Sequence, residues 1–237
     1  MFEAKGSLEL SIVLPVSNEE PILERKTAEL IDYLEGMSVR FELLFVENGS
    51  SDHTSQILRL LSEKYKQLRV ETTPKRDYST SLIHGIMSAR GDFIITMGID
   101  FADLTVIGRC LEALDVSDIV ICSKNIGIDG RPFIRRLANR GYNALVTAIF
   151  GIRFSDVEGY HGLRRRRVQD LVGLIHTKAH FFNLWLVLYA RRNSLVIREV
   201  PLYVTEIRPS RFSQGPKVAY LAFLTVIEFA KLKGRGF

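Results

Sequence analysis

LSIVLPVSNEEPILERKTAELIDYLEGMSVRFELLFV, residues 10–46, contains two short apolar runs separated by a longer amphipathic segment. The runs at residues 10–16 and 41–46 are almost continuously hydrophobic, which is typical of strands buried on both faces of a sheet. Between them, residues 21–34 have apolar side chains at helical spacing. The segment begins with Pro21, and proline is favoured in the first turn of a helix. A strand, a helix and a strand in this order predict a parallel pair joined by a crossover helix.

The same alternation continues along the chain. Further strands are predicted at residues 68–72, 92–97, 118–122 and 195–205. Further helices are predicted at residues 54–65, 79–89, 104–114, 133–149, 169–175, 181–191 and 216–233. Residues 152–163 are polar and are predicted to be irregular. We therefore expect one α/β domain over residues 1–237, with a mostly parallel central sheet flanked by helices.

The composition indicates a globular protein with an anionic partner, but it does not identify that partner. A chain of 237 residues with 46% hydrophobic and 25% charged residues suits one globular domain of the larger kind. A net charge of +5 favours an anionic partner. A phosphorylated small molecule, an acidic membrane surface and nucleic acid all fit this description. Cys110 and Cys122 lack the spacing of a metal site, so we expect buried reduced thiols and a cytoplasmic location. The sequence shows neither a signal peptide nor an apolar run of about 18 residues.

Polar side chains follow the first two predicted strands, at Ser17-Asn18-Glu19 and at Glu47 to Thr54. The carboxyl ends of parallel strands meet at one edge of a sheet, where ligands bind in folds of this class. Asn18 and Glu19 suit a ribose or a base edge, although Asn18 suits the N-cap of the next helix equally well. In the second segment, capping of the following helix by Asp52 or Thr54 is the favoured interpretation.

A third polar cluster, Gly98-Ile99-Asp100, follows the strand predicted at residues 92–97. Oxygen ligands at a strand end suit Mg²⁺ or Mn²⁺, which neutralises a diphosphate leaving group. We predict that Asp100 is a metal ligand. Asp103 is predicted either to cap the helix that begins near Leu104 or to act as a second ligand.

Taken in order, these clusters resemble the motifs of family-2 glycosyltransferases with the GT-A fold, and those of the polyprenyl-phosphate (dolichyl-phosphate) mannose synthases in particular. The similar segments are Pro15 to Glu19, Glu47 to Thr54, Ala89 to Asp92, Gly98 to Asp100, Ile134 to Asn143, Asp156 to Arg166 and Glu199 to Ser213. The resemblance implies a GT-A fold and a metal-assisted, inverting transfer of a hexose. Its donor would be a GDP- or UDP-sugar, its acceptor a polyprenyl phosphate and its metal Mg²⁺ or Mn²⁺.

The resemblance also implies roles for individual residues. The nucleotide would be bound by Pro15, Asn18, Glu19, Glu47, Asn48 and Asp100. The acceptor phosphate would be placed by Lys124, Arg140 and Arg208. This phosphate is already an anionic nucleophile, so it needs positioning cations rather than a strong base. Asp156 would lie where donor sugar and acceptor meet, and would be the base if the acceptor were an alcohol.

The chain departs from the family pattern mainly on the donor side. Ser17 replaces a tyrosine, Asn48 replaces an acidic residue, residues 77–81 lack a glycine, and Gly98 replaces the first aspartate of a D-x-D motif. An alternative function is therefore a catalytically degenerate GT-A domain that serves as a nucleotide-binding or regulatory partner. We expect no nucleic-acid partner, because no recognised nucleic-acid motif is present.

Several further features leave alternatives open. His161 stands where the family tends to have arginine, and is either a sugar or phosphate contact or simple packing. Arg164 to Arg167 is interpreted as a surface run, and His84 and His180 as structural residues. Residues 216–237 form an apolar helix that either packs on the core or lies at a membrane interface. The second case would place the protein peripherally at the inner face of the cell membrane.

Overall fold

A computed structural model describes residues 9–73, 76–177, 181–205 and 227–234. Its strands are β1 (Leu10–Val16), β2 (Phe41–Glu47), β3 (Leu68–Thr72), β4 (Phe93–Thr96), β5 (Ile119–Ser123), β6 (Tyr160–Arg164) and β7 (Ile197–Pro201). Its helices are α1 (Glu20–Glu35), α2 (Thr54–Lys64), α3 (Tyr78–Ser88), α4 (Val106–Leu114), α5 (Phe133–Phe150), α6 (Arg165–Gly173) and α7 (Phe182–Arg192). Residues 227–234 are also helical.

The strands form one sheet in the order β3-β2-β1-β4-β6-β5-β7. Every neighbouring pair is parallel except the two pairs that β6 makes, with β4 and with β5. The predicted α/β class with a mostly parallel sheet is confirmed. In the register of β1 and β2, Val16 lies opposite Glu47, so the two strands end level with each other and their exit loops start side by side.

Helices cover both faces of the sheet, because the strands carry apolar side chains on both sides. Helices α1, α2 and α4 cover one face. Helices α3, α5, α6 and α7 cover the other, together with residues 227–234. Trp185, at the centre of α7, has no exposed surface.

Strand β6 corrects the prediction that residues 152–163 are irregular. YHGLR has no continuous apolar run, yet it lies between β4 and β5 near the centre of the sheet. Gly162 allows this position, because a Cβ atom there would overlap Cys110 Sγ of α4. His161 is fully buried. The strand is therefore specified by neighbours distant in sequence rather than by its own periodicity.

The arginine run Arg164–Arg167 is the solvated surface that its sequence suggested only in its second half. Arg165 Nε donates to the Gly91 carbonyl at 2.7 Å, and Arg167 Nε lies 3.0 Å from Asp118 Oδ1. The third and fourth side chains of the run, Arg166 and Arg167, are exposed, at 81% and 56%. The run anchors the edge of the sheet opposite the predicted ligand-binding edge, which removes it from the candidate site.

Residues 227–234 pack on the core, which corrects the interfacial alternative for this part of the C-terminal segment. Phe229 and Leu232 are buried. The Glu228 carboxylate accepts hydrogen bonds from Trp185 Nε1 at 2.6 Å and from Thr177 Oγ1 at 2.5 Å. The rest of the segment, residues 216–226 and 235–237, lies outside the described residues. None of the described helices has the length and hydropathy needed to cross a membrane.

Candidate active site

The exit loops of β1 and β2 are locked together by side chains that accept backbone hydrogen bonds. Asn18 Oδ1 accepts from Ser51 N at 2.8 Å, and Thr54 Oγ1 accepts from Glu19 N at 2.8 Å. Asn18 has a φ of 57°, a left-handed conformation that asparagine tolerates better than most residues. The N-cap residue of α1 is Glu19, so the capping interpretation of Asn18 is wrong.

The second exit loop is shaped by its own acidic and amide residues. Glu47 Oε1 accepts from Ser50 N at 2.6 Å, and the buried Asn48 accepts from Asp77 N at 2.9 Å. Asp52 Oδ1 accepts from the first amide of α2, at Thr54, at 3.0 Å. Asp52 therefore binds an amide of the first turn of α2, as the capping interpretation expects, but the N-cap residue itself is His53. Asn48 connects this loop to the start of α3.

The loop after β4 carries the two predicted metal ligands. Asp100 is exposed, and a Cβ on residue 98 would lie only 2.6 Å from its Oδ1, so the Asp100 carboxylate uses the space that Gly98 leaves open. Asp103 is buried and held by the Arg109 guanidinium, by the Thr105 hydroxyl at 2.6 Å and by Tyr203 N at 3.2 Å. Burial opposes ionisation of Asp103, but these hydrogen bonds outweigh it and lower its pKa.

The prediction that Asp103 is a second metal ligand is untested, but both of its oxygens already have protein partners. Over the described ranges, no group of three or more His, Cys, Asp or Glu side chains is placed to hold a metal ion. Asp100 is the more exposed of the two predicted metal ligands. A single protein carboxylate fits a divalent ion that takes its other ligands from water and from substrate phosphates.

A second cluster lies beyond β5, where the antiparallel β6 brings its own preceding loop to the same edge. Lys124 Nζ lies 2.7 Å from Asp156 Oδ2 and donates to the Glu158 carbonyl at 3.1 Å. The Lys124 amide also donates to Asp156 Oδ2, at 3.2 Å. Asp156 has no exposed surface. Two of the predicted catalytic residues thus form a buried ion pair.

Neighbouring elements hold this loop in place. Asn139 of α5 donates to Asp156 Oδ1 at 3.4 Å, and Glu199 of β7 accepts from Ser155 N at 2.8 Å. Arg140, the residue after Asn139, is exposed on α5, so it lies within one helical turn of the ion pair. Arg208 and His180 lie outside the described residues.

Sequence reasoning missed several polar side chains around the ion pair. Glu158, Tyr142 and Asn183 approach one another there, with Asn183 Nδ2 3.5 Å from Glu158 Oε2. Burial and the nearby Asp156 raise the pKa of Glu158 to about 8. Burial lowers the pKa of His161 to about 4, so its ring is neutral at physiological pH. The signal in the sequence was Glu158 itself, an acidic residue two positions after the predicted Asp156.

Both clusters lie within the part of the chain that matches a known family. The sequence model described as Glycosyl transferase family 2 matches residues 11–173, which include β1 to β6. The chain belongs to glycosyltransferase family 2. Within this family, the relatives that it resembles include transferases named for polyprenyl-phosphate substrates.

One such family-2 relative is a dolichol-phosphate mannosyltransferase of Pyrococcus furiosus. It is 28% identical over 173 residues, which are 69% of this chain and 48% of that protein. Another is an undecaprenyl-phosphate 4-deoxy-4-formamido-L-arabinose transferase of Edwardsiella ictaluri, 27% identical over 187 residues, which are 77% of this chain and 57% of that protein. The chain spans about half the length of the curated relatives it matches.

The GT-A fold of this family-2 chain is confirmed by solved structures. A mannosyltransferase from Pyrobaculum calidifontis, in complex with GDP-Man and Mn²⁺, matches with a TM-score of 0.61 and 18% identity. The match covers 86% of this chain and 58% of that one. At this level of identity the similarity establishes the fold alone.

Proposed function

We propose that the chain transfers a hexose from a nucleotide diphosphate sugar to a polyprenyl phosphate, with inversion at the anomeric carbon. The observation that carries the proposal is the buried Lys124–Asp156 pair, which lies at the same sheet edge as the β1, β2 and β4 exit loops of a family-2 chain. The relatives described above are named as transferases, which favours the enzyme over a non-catalytic nucleotide-binding module.

On the donor side, the nucleoside would lie against the loops that contain Asn18 and Asn48, with Pro15, Glu19 and Glu47 beside them. Asp100 follows β4, the strand next to β1, and so stands where a diphosphate would cross the sheet edge. Asp100 and the diphosphate oxygens would together hold Mg²⁺ or Mn²⁺. The metal would supply positive charge to the leaving nucleoside diphosphate.

On the acceptor side, a phosphate oxygen forms a bond to the anomeric carbon while the bond from that carbon to the donor's β-phosphate oxygen breaks. A single displacement of this kind inverts the configuration. Lys124, Arg140 and Arg208 would orient the acceptor phosphate by charge and hydrogen bonding. Asp156 is fully buried and engaged by Lys124, so we assign it the role of positioning that ammonium group.

A lipid acceptor requires a membrane, and we propose that α5 supplies the contact. Phe133, Ile134 and Leu137 are 66%, 79% and 58% exposed. Residues 130–155 contain five arginines and no acidic residue. An exposed apolar face flanked by cations fits an anionic phospholipid surface, whereas a second copy of the same helix would oppose arginine to arginine. This proposal takes the place of the one based on the C-terminal segment.

Calorimetric titration tests the donor half of the proposal. GDP and UDP are titrated with and without Mn²⁺ into the wild type, Asp100→Ala and the control Asp92→Ala, whose residue lies at the opposite end of β4. We expect metal-dependent binding of one nucleotide, lost in Asp100→Ala and retained in the control. A wild type that binds neither nucleotide at millimolar concentration would overturn the proposal. Transfer of labelled sugar to polyprenyl phosphate then tests the acceptor half.

A further inference from the structure

Four polar side chains from four different segments lie beside the Lys124–Asp156 pair or contact a neighbour of it, Glu158. They are Tyr142 of α5, Glu158 of the loop before β6, His161 of β6 and Asn183 of α7, and we refer to them as the polar subsite. His161 is fully buried and Asn183 is 4% exposed.

Each residue of the polar subsite has a buried polar atom that makes no hydrogen bond of normal geometry. These atoms are Tyr142 Oη, Glu158 Oε1, both ring nitrogens of His161 and Asn183 Oδ1. Tyr142 and the Glu158 carboxyl group interact weakly with each other, and the His161 ring interacts with the Gly159 backbone, so these groups are incompletely satisfied rather than isolated. Each such group costs about 1–3 kcal/mol when it stays unsatisfied. Native proteins keep few of them, so several together need an explanation. Their convergence indicates a place built to receive hydrogen bonds from a polar molecule.

The polar subsite lies between the proposed donor and acceptor positions. On the donor side, a Cβ atom on residue 98 would lie 2.6 Å from Asp100 Oδ1 and 4.0 Å from Tyr160 Oη, which places Asp100 beside the residue that precedes His161. On its other side, Glu158 is two residues from Asp156 and its carbonyl accepts from Lys124. A transferred sugar must occupy this interval, because its anomeric carbon is bonded to the donor diphosphate and attacked by the acceptor phosphate.

The charge of the polar subsite restricts the sugar that it can take. Lys124 is paired with Asp156 at 2.7 Å and is assigned to the acceptor phosphate, the raised pKa of Glu158 keeps its carboxyl largely protonated at neutral pH, and His161 is neutral there. The four side chains therefore offer donors and acceptors but no cation. Such a set matches hydroxyl groups, whereas a carboxylate on the sugar would face Asp156 and Glu158 without a counter-ion.

We infer that Tyr142, Glu158, His161 and Asn183 bind the hydroxyl groups of the transferred sugar and select neutral sugars over uronic acids. This inference rests on the proposed function, since it assumes a nucleotide-sugar donor. It adds a set of sugar-contacting residues to that function and a preference for one class of sugar.

The test compares affinities for a nucleoside diphosphate, its neutral hexose conjugate and its uronic acid conjugate, all measured by calorimetry on the whole chain. We expect the wild type to bind the hexose conjugate at least about tenfold more tightly than the other two, the equivalent of one or more hydrogen bonds. Glu158→Ala and Asn183→Ala should each lose most of that preference and keep the affinity for the nucleoside diphosphate. Glu158→Gln should keep the preference, because an amide and a neutral carboxyl group offer similar hydrogen bonds.

Asn193→Ala is the matched control for Asn183→Ala, since Asn193 lies exposed at the other end of α7. Should Glu158→Ala fail to fold, Asn183→Ala and the uronic acid comparison still decide the matter. A wild type that binds all three ligands equally, or variants that keep the preference, would overturn the subsite and leave the proposed function standing. A wild type that binds no nucleotide at all would overturn both.

Discussion

At the scale of single residues, the Lys124–Asp156 pair is the feature on which the proposed acceptor end of the site depends. Both charges are withdrawn from water, so removing one leaves the other buried without compensation. We predict that Lys124→Met lowers the free energy of unfolding by about 3–5 kcal/mol. The double variant Lys124→Met/Asp156→Asn should recover most of that loss, because it removes both charges.

Urea unfolding measures this prediction. Arg25→Met is the control, since Arg25 and Glu29 form an exposed pair 3.7 Å apart that contributes at most about 1 kcal/mol. If Lys124→Met lowers the free energy of unfolding no more than Arg25→Met does, the Lys124–Asp156 pair is solvated and Asp156 does not position the Lys124 ammonium group.

Glu158 gives the stability of the protein a dependence on pH. Its pKa rises from 4.5 to about 8 on folding, because burial and Asp156 disfavour the charged form more than Lys124, Asn183 and Tyr142 favour it. The stabilising contribution is therefore complete below pH 4.5 and is lost as the pH rises toward 8. We predict that Glu158→Gln removes this decline. Urea unfolding of both proteins between these pH values measures it, and a constant difference across the range would contradict the prediction.

At the scale of elements, β6 depends on a close approach between backbone and helix. Gly162 faces Cys110 Sγ, and a methyl group there must push α4 away from the sheet. We predict that Gly162→Ala lowers the free energy of unfolding by about 1–3 kcal/mol, and that adding Cys110→Ala recovers part of the loss. Denaturant unfolding of the single and double variants checks the coupling. Gly173→Ala, where no atom lies within 4 Å of the new methyl, should be close to neutral.

The elements that could be predicted are those whose signal is local. LSIVLPV and FELLFV gave strands that match β1 and β2 to within one residue, because continuous apolar runs suffice to identify buried parallel strands. The segment YHGLR contains no continuous apolar run, because β6 is buried by its position between β4 and β5 and not by its own hydrophobic residues. Arg164 and Arg165 are less exposed than predicted for the same reason, because their carbonyl partners are 47 and 74 residues away in sequence.

At the scale of the whole molecule, the order of motifs was enough to bring Asp100, Lys124 and Asp156 to one edge of the sheet. It was not enough to show what surrounds them. Asp103 is held by Tyr203 N, 100 residues further along, and Asn183 reaches Glu158 from another helix. Such contacts depend on how α7 and β7 pack, and a single sequence does not record that packing.

The proposed function also requires this edge of the sheet to meet a lipid, and we propose that α5 offers the surface for it. Asn139 of α5 contacts Asp156, so the exposed Ile134 and Leu137 lie within about one to two turns of the ion pair. A membrane bound through this face would present a lipid phosphate close to Arg140 and Lys124. Each apolar side chain that enters the interface contributes about 1.5–3 kcal/mol at full burial, and each arginine about 1 kcal/mol near an anionic surface.

We therefore predict that Ile134→Ser/Leu137→Ser reduces partitioning onto vesicles of mixed phosphatidylglycerol and phosphatidylcholine by at least about tenfold. Vesicles of phosphatidylcholine alone should bind the wild type more weakly, because the arginines of α5 then lack counter-charges. Co-sedimentation measures both effects, and Leu60→Ser is the control, since that side chain is 52% exposed on α2. Equal binding of the double variant and the wild type would show that α5 is not the membrane contact. Donor binding measured without lipid should be the same for both proteins, because Ile134 and Leu137 lie outside the residues assigned to the nucleotide.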